Sequence, residues 1–220
     1  AKAASELGLQ YLGISDHSKS SVQANGLSDE RLIKQIKEIS QYNKTNKNDI
    51  KIFSGVECDI LKDGSLDYED SILSQLDYCV ASVHSSFSLT EDEMTQRVIK
   101  AIESPYVTMI GHLTGRLLLL RKPYDINVSK IIDACAKNDT IIEINANPRR
   151  LDLDWRWWKT AKDKGVKCSI NPDAHKIEHL QFLHFGVKIA QKGWLEPSDV
   201  VNCLPLDEIT KLLKQKSTEQ

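Results

Sequence analysis

Four of the six histidines in this chain stand directly after short apolar runs: His17 after Leu-Gly-Ile-Ser-Asp, His84 after Val-Ala-Ser-Val, His112 after Met-Ile-Gly and His175 after Ser-Ile-Asn-Pro-Asp-Ala. Glu57 and Asp173 occupy positions of the same kind. Neutral imidazole and carboxylate are the donors that divalent cations such as zinc and manganese accept, so His17, Glu57, His84, His112, Asp173 and His175 are the candidate metal ligands. Any one strand-end histidine more often serves as a cap or hydrogen-bonding group than as a ligand. Six such placements in one chain favour ligation. Asp16 is left outside the set, since an acid beside His17 can close a turn or orient an imidazole. His179 and His184, in the segment His-Leu-Gln-Phe-Leu-His, fall off the pattern and are read as surface or core residues.

Residues this far apart in sequence reach one ion only if the fold gathers them. Apolar, β-branched runs at Tyr11–Ser15, Ile50–Cys58, Tyr78–Val83, Val107–Gly111, Thr140–Asn145 and Val166–Ile170 read as six strands buried on both faces. Between them lie segments of helical period, among them Leu32, Ile33, Ile36 and Ile39, and Met94, Val98 and Ile102 after a Thr90/Glu93 capping box. Further helices are predicted at Ala1–Leu7, stopped by Gly8, around Ile131–Cys135, at Trp155–Ala161, and at Leu206–Leu213 before a polar tail at 214–220. Alternating strands and helices imply a parallel sheet or barrel, in which all strand C-termini share one rim. The predicted ligands would meet there.

With 220 residues and 40% hydrophobic content, the chain suits a single α/β domain. A net charge of −2 and a pI near 6.3 exclude a global basic field, so any polyanion must be held by local groups. Arg149 is the leading phosphate-binding candidate because it follows a strand end and a guanidinium can clamp two oxygens, with Lys19, Arg116 and Arg150 behind it. Trp155, Trp157 and Trp158 read as packing against the sheet rather than as a base-stacking platform. Five widely spaced cysteines without a Cys-x-x-Cys pair read as reduced, buried thiols in a cytoplasmic protein. No membrane span or signal peptide is expected.

Taken in order, Ser-Asp-His-Ser at 15–18, Gly-Val-Glu at 55–57, Ser-Val-His at 82–84, Gly-His-Leu-Thr-Gly-Arg at 111–116, Glu-Ile-Asn-Ala-Asn-Pro-Arg-Arg-Leu-Asp-Leu-Asp-Trp at 143–155 and Asn-Pro-Asp-Ala-His at 171–175 form a specific set. In these motifs the chain resembles the polymerase and histidinol phosphatase (PHP) family, most closely the C-terminal PHP domain of bacterial family X DNA polymerases. The resemblance implies a distorted (β/α)7 barrel spanning 1–220, with a metal site for up to three divalent ions, zinc or manganese with iron as an option, at the strand C-termini. It implies that Glu57 bridges two metals, that His84 and His112 complete the second, that Asp173 belongs to the first, and that His17 and His175 serve the third. The family's first strand and its His-x-His pair have no counterpart in this sequence. An N-terminally incomplete domain binding fewer metals is therefore expected, with the edge of Tyr11–Ser15 uncovered.

The activity implied by the resemblance is metal-assisted hydrolysis of phosphate esters at DNA ends, as a 3′-5′ exonuclease or 3′-phosphatase with abasic-site cleavage as a further option, and N-terminal polymerase domains as partners in the parent chain. Two alternatives stay open on the sequence: a small-molecule phosphatase of the histidinol phosphate type, and an inactive module that positions DNA.

Overall fold

The computed structural model describes residues 1–45 and 50–218, the side chains of 215–218 excepted. Six strands, β1 (Tyr11–His17), β2 (Lys51–Asp59), β3 (Tyr78–Ser82), β4 (Met109–Ile110), β5 (Ile141–Asn145) and β6 (Cys168–Asn171), form one sheet in chain order. Every neighbouring pair is parallel. The sheet curls into a half-barrel, the open form of the predicted (β/α)7 barrel. All six strands lie where the apolar runs place them. β1 pairs with β2 alone among the described residues, and its Gly13, Ser15 and Asp16 are exposed, as expected of an uncovered edge.

The helices are α1 (Lys2–Glu6), α2 (Asp29–Thr45), α3 (Asp70–Leu73), α4 (Glu91–Ile102), α5 (Val128–Lys137), α6 (Trp158–Asp163), α7 (Leu183–Lys192) and α8 (Leu206–Thr218). The Thr90/Glu93 capping box opens α4: Glu93 N–H donates to Thr90 Oγ1 and Thr90 N–H donates to Glu93 Oε2. Two helices, α3 and α7, were not legible. The last helix runs to Thr218, so most of the stretch expected to be a polar tail continues α8, and 219–220 lie outside the described residues.

Strand side chains alternate between faces, and the two faces of this sheet do different work. On the outer face Ala81, Ile110, Ile142 and Ile144 pack against Met94 and Val98 of α4, Ile131 and Ile132 of α5, and the fully buried Trp158 of α6. On the inner face Phe53, Val80, Met109 and Ile141 meet Ile209 and Leu213 of α8. That helix seals the N-terminal end of the half-barrel. Towards the strand C-termini the inner face turns polar, through Glu57 and Asp59 on β2, Ser82 on β3, Glu143 and Asn145 on β5 and Asn171 on β6.

Gly13 and Gly55 sit on the inner face for a steric reason: a Cβ at either would run into the ring of Tyr78. The absence of side chains on β1 and β2 there lets that aromatic lie across the sheet beneath Glu57. Four cysteines are buried as expected, whereas Cys203 is exposed, because it falls in a short turn after β6 and not in an apolar run. No described helix is long and apolar enough to cross a membrane.

Candidate metal centre

Strand register brings the ligands together. His17, the last residue of β1, is the register partner of Glu57 on β2, and Asp59 at the end of β2 faces Ser82 at the end of β3. His84 lies two residues beyond β3 and His112 two beyond β4. All project from the inner face at one rim, and their rings pack edge to face: centroids are 4.8 Å apart for His17 and His84 and 5.1 Å apart for His84 and His112.

At the centre is the Glu57 carboxylate. Its Oε1 is 2.9 Å from His112 Nε2 and 3.2 Å from His84 Nε2, and its Oε2 is 3.6 Å from His17 Nδ1. Burial opposes the charge on Glu57, but the His112 and His84 contacts outweigh it and hold the carboxyl well below the usual carboxylate range. His84 is pulled two ways as well: burial disfavours its charged form, while Asp59 and Glu57 push it up to about 9. A pocket that draws a proton this strongly draws a cation by the same charge. Burial dominates at His17 and lowers its pKa, leaving a neutral imidazole of the kind a metal requires.

Two groups of donors meet the distance requirement for a shared ion: Glu57, His84 and His112, and His17, Asp59 and His84. The buried atoms His17 Nδ1, His84 Nε2 and His112 Nδ1 have no hydrogen-bond partner among the described residues, an expensive condition for polar atoms in a protein interior. Of these, His17 Nδ1 and His84 Nε2 lie against the Glu57 carboxylate, and imidazole nitrogens so placed fit a divalent cation.

Asp59 escaped the sequence reading. It contacts His84 Nδ1 and accepts from the hydroxyls of Ser20 and Ser21. Fixing Nδ1 in this way leaves Nε2 as the nitrogen aimed at Glu57. The signal was available: two residues after Glu57 on a strand, an acid must share its face.

Asp173 and His175 fall outside both groups. Asp173 Oδ2 receives Asn145 Nδ2 at 3.1 Å and lies 3.4 Å from Arg150 Nε. The exposed His175 is 6.3 Å from His17 between ring centroids, and its Nδ1 lies 3.0 Å from the Asp173 carbonyl. His112 and Asp173 both carry positive φ, 25° and 51°, a conformation that non-glycine residues hold at a cost and that recurs at functional sites.

Behind His112 a buried polar network supports the rim. Glu143 Oε2 accepts the His112 backbone N–H at 2.7 Å, and its Oε1 accepts from Asn171 Nδ2 at 2.8 Å. Burial pushes Glu143 up to about 7. Asn145 joins Glu143 to Asp173. Beside it, Asp152 Oδ2 accepts from both the N–H and the hydroxyl of Thr114.

The basic candidates separate by environment. Arg116 is committed to the fold, donating to the carbonyls of Arg150 and Leu151 and pairing with Asp154 at 2.7 Å. Lys19 pairs with Asp29 at 3.0 Å. Arg149 is exposed, without a carboxylate partner among the described residues. Arg150 points inward to Asp173, with a buried Nη1 that lacks a hydrogen-bond partner among the described residues. His179 stacks on Phe182, and its Nδ1 accepts from the His175 backbone N–H at 3.3 Å. Of the tryptophans, Trp158 is core, as expected.

The model of the PHP domain matches residues 1–147. The chain is similar to a "DNA polymerase/3'-5' exonuclease PolX" of Bacillus subtilis (strain 168), 42% identical over 215 residues, which are 98% of this chain and 38% of that protein. It thus spans well under half the length of that relative. It is also similar to a "probable phosphatase" of Thermoanaerobacter sp. (strain X514), 29% identical over 76% of this chain and 69% of that protein, and to another of Clostridium acetobutylicum, 27% identical over 79% and 70%.

Proposed function

Since this chain belongs to the PHP domain family, we propose that it is a metal-dependent phosphoesterase domain acting on DNA ends, as a 3′-5′ exonuclease or 3′-phosphatase, within a family X DNA polymerase. The observation that carries the reading is the Glu57 carboxylate surrounded by His17, His84 and His112, with His17 Nδ1 and His84 Nε2 buried and without a hydrogen-bond partner among the described residues. Glu57, His84 and His112 would hold one cation, with His17 at the other Glu57 oxygen, and Asp173 and His175 beside His17, for neighbouring positions. Zinc and manganese both suit this N/O donor set.

When bound, such cations polarise a phosphoryl oxygen and make hydroxide available near neutral pH. The chain supplies the rest. Arg150, backed by Asp173, presents a guanidinium to the phosphate at the rim, and Arg149 adds positive charge outside it. Asp59 fixes the His84 tautomer, and Glu143 fixes the His112 backbone. Glycine at 111 is required because a Cβ there would press on Ser82 Oγ and Val80 Cγ1.

The test is metal content by mass spectrometry together with turnover of a 3′-phosphorylated oligonucleotide and of histidinol phosphate, with and without added manganese. Oligonucleotide turnover lost in His112→Ala along with bound metal is the expected outcome. Turnover of histidinol phosphate alone would move the reading to a small-molecule phosphatase, and metal-loaded protein that hydrolyses neither would sink it.

A further inference from the structure

The loop that leaves His112 carries a feature the metal site does not use. Leu118, Leu119 and Leu120 are consecutive and exposed, at 38%, 104% and 72%. Other exposed apolar residues, such as Val22, Ile177 and Trp194, stand singly, as is ordinary for a protein surface.

These leucines are held out by a built hairpin. Leu117 and Arg121 exchange backbone hydrogen bonds at 2.9 and 2.8 Å, and Leu118 N–H donates to the Arg149 carbonyl at 2.6 Å. The Arg121 guanidinium donates twice to the Gly115 carbonyl and lies over the Phe87 ring at 4.5 Å. At the tip Leu119 has φ of 65°, where a glycine or asparagine would be easier. A leucine in a costly backbone conformation, with its side chain wholly in water, contributes nothing to folding.

Around the tip the charge is positive. Arg121, Lys122 and Arg149 are exposed and have no carboxylate partner among the described residues. An apolar tip flanked in the chain by Arg121 and Lys122 and held by the Arg149 backbone complements a ligand with a hydrophobic face and an anionic backbone. A nucleic-acid strand end is such a ligand, and leucine is among the side chains that wedge against bases.

We propose that the Leu118–Leu120 hairpin is a wedge on which the terminal base of a DNA strand packs, with Arg149 and Lys122 holding the phosphates beside it. This rests on the DNA-end reading above. The hairpin is coupled to the site on two sides: the loop that carries it leaves His112, and the Arg149 carbonyl it grips adjoins Arg150, which pairs with Asp173. Leucines offer area without hydrogen-bonding groups, so the wedge registers the presence of a base and not its identity.

The probe is a nuclease-resistant phosphorothioate oligonucleotide, with either a normal 3′-terminal nucleotide or an abasic one, titrated by fluorescence anisotropy. Wild-type protein is expected to bind the base-bearing end about tenfold tighter, the effect of burying part of one base against leucine. The triple variant Leu118→Ser, Leu119→Ser, Leu120→Ser should bring the ratio to about one and leave affinity for the abasic end intact. Because the three side chains are exposed, its melting temperature and metal content should match the wild type. Arg149→Ala should weaken both ends equally.

A ratio near one in the wild type, or an unchanged ratio in the triple variant, overturns the wedge. So does light scattering that shows a wild-type dimer and a monomeric triple variant, since a second copy would then own the surface. Turnover of a 3′-phosphorylated oligonucleotide by the wild type, measured in parallel, keeps the two ideas apart. Turnover without base discrimination removes only the wedge, and discrimination without turnover removes only the phosphoesterase.

Discussion

Replacing Glu57 by glutamine is the sharpest perturbation of the centre, because it keeps the shape of the side chain and removes the charge around which three imidazoles gather. A ligand that binds only the folded state stabilises it by RT ln(1 + [L]/Kd), about 2.7 kcal/mol at a free metal concentration a hundred times Kd. For a domain of this size each kcal/mol raises Tm by roughly 2–4 °C, so the wild type should melt about 5–11 °C higher in manganese than in chelator. Loss of a ligating carboxylate should weaken binding at least as much as loss of a supporting group, about a hundredfold at the upper end of that range. At the same metal concentration the stabilisation then falls to about 0.4 kcal/mol, a shift of about 1 °C. The assay is a thermal melt of each protein with manganese and with chelator, the difference cancelling any effect of the substitution on the metal-free fold. A Glu57→Gln protein that keeps the full wild-type shift would refute the centre as drawn. A wild type with no shift would refute metal binding altogether.

Asp59→Asn should lower metal affinity about 10–100-fold, since it loosens the hold on His84 Nδ1, and calorimetric titration with manganese checks it. Gly55→Ala should cost about 1–3 kcal/mol in urea denaturation, because the new methyl meets the Tyr78 ring with β1 and β2 fixed on either side; an unchanged midpoint would mean that the ring moves freely. Asp154 is held well below the usual carboxylate range by hydrogen bonds from Arg156 and then, against some burial, from Arg116. Its folded pKa is depressed, so its contribution is present above about pH 4 and lost as the pH falls through the folded value. Asp154→Asn should therefore destabilise at pH 7 and flatten the acid limb of the stability profile, and parallel limbs in the two proteins would count against it.

How much of this was legible follows from what each signal depends on. Strands buried on both faces write themselves as continuous apolar runs, so β2 to β6 could be read directly, and the Thr90/Glu93 box announced α4; β1 lies where its apolar run places it, but as an edge strand it has no fully buried residue. The short α3 carries too few residues to show a period. In α7 the apolar positions are interrupted by Gly186, which serves packing: a Cβ there would press on Ile170 and Ala146. That contact exists only in three dimensions.

The site divides along the same line. His17, Glu57, His84 and His112 were legible because each interrupts or ends an apolar run, and strand register did the rest. Asp59 was missed because the run read as β2 ended at Cys58, and Glu143 was harder because a strand read as buried on both faces gives no phase, so an acid within it cannot be assigned to an inner or an outer side. The phase comes from α8: by covering Phe53, Val80, Met109 and Ile141 it defines the inner face, and towards the strand ends that face carries Glu57 and Asp59 on β2, Ser82 on β3 and Glu143 and Asn145 on β5. One helix near the C-terminus thus separates an apolar floor from a polar rim. The floor excludes water beneath Glu57, and the low dielectric that results makes the surrounding charges bind a cation more strongly than the same groups would on an open surface.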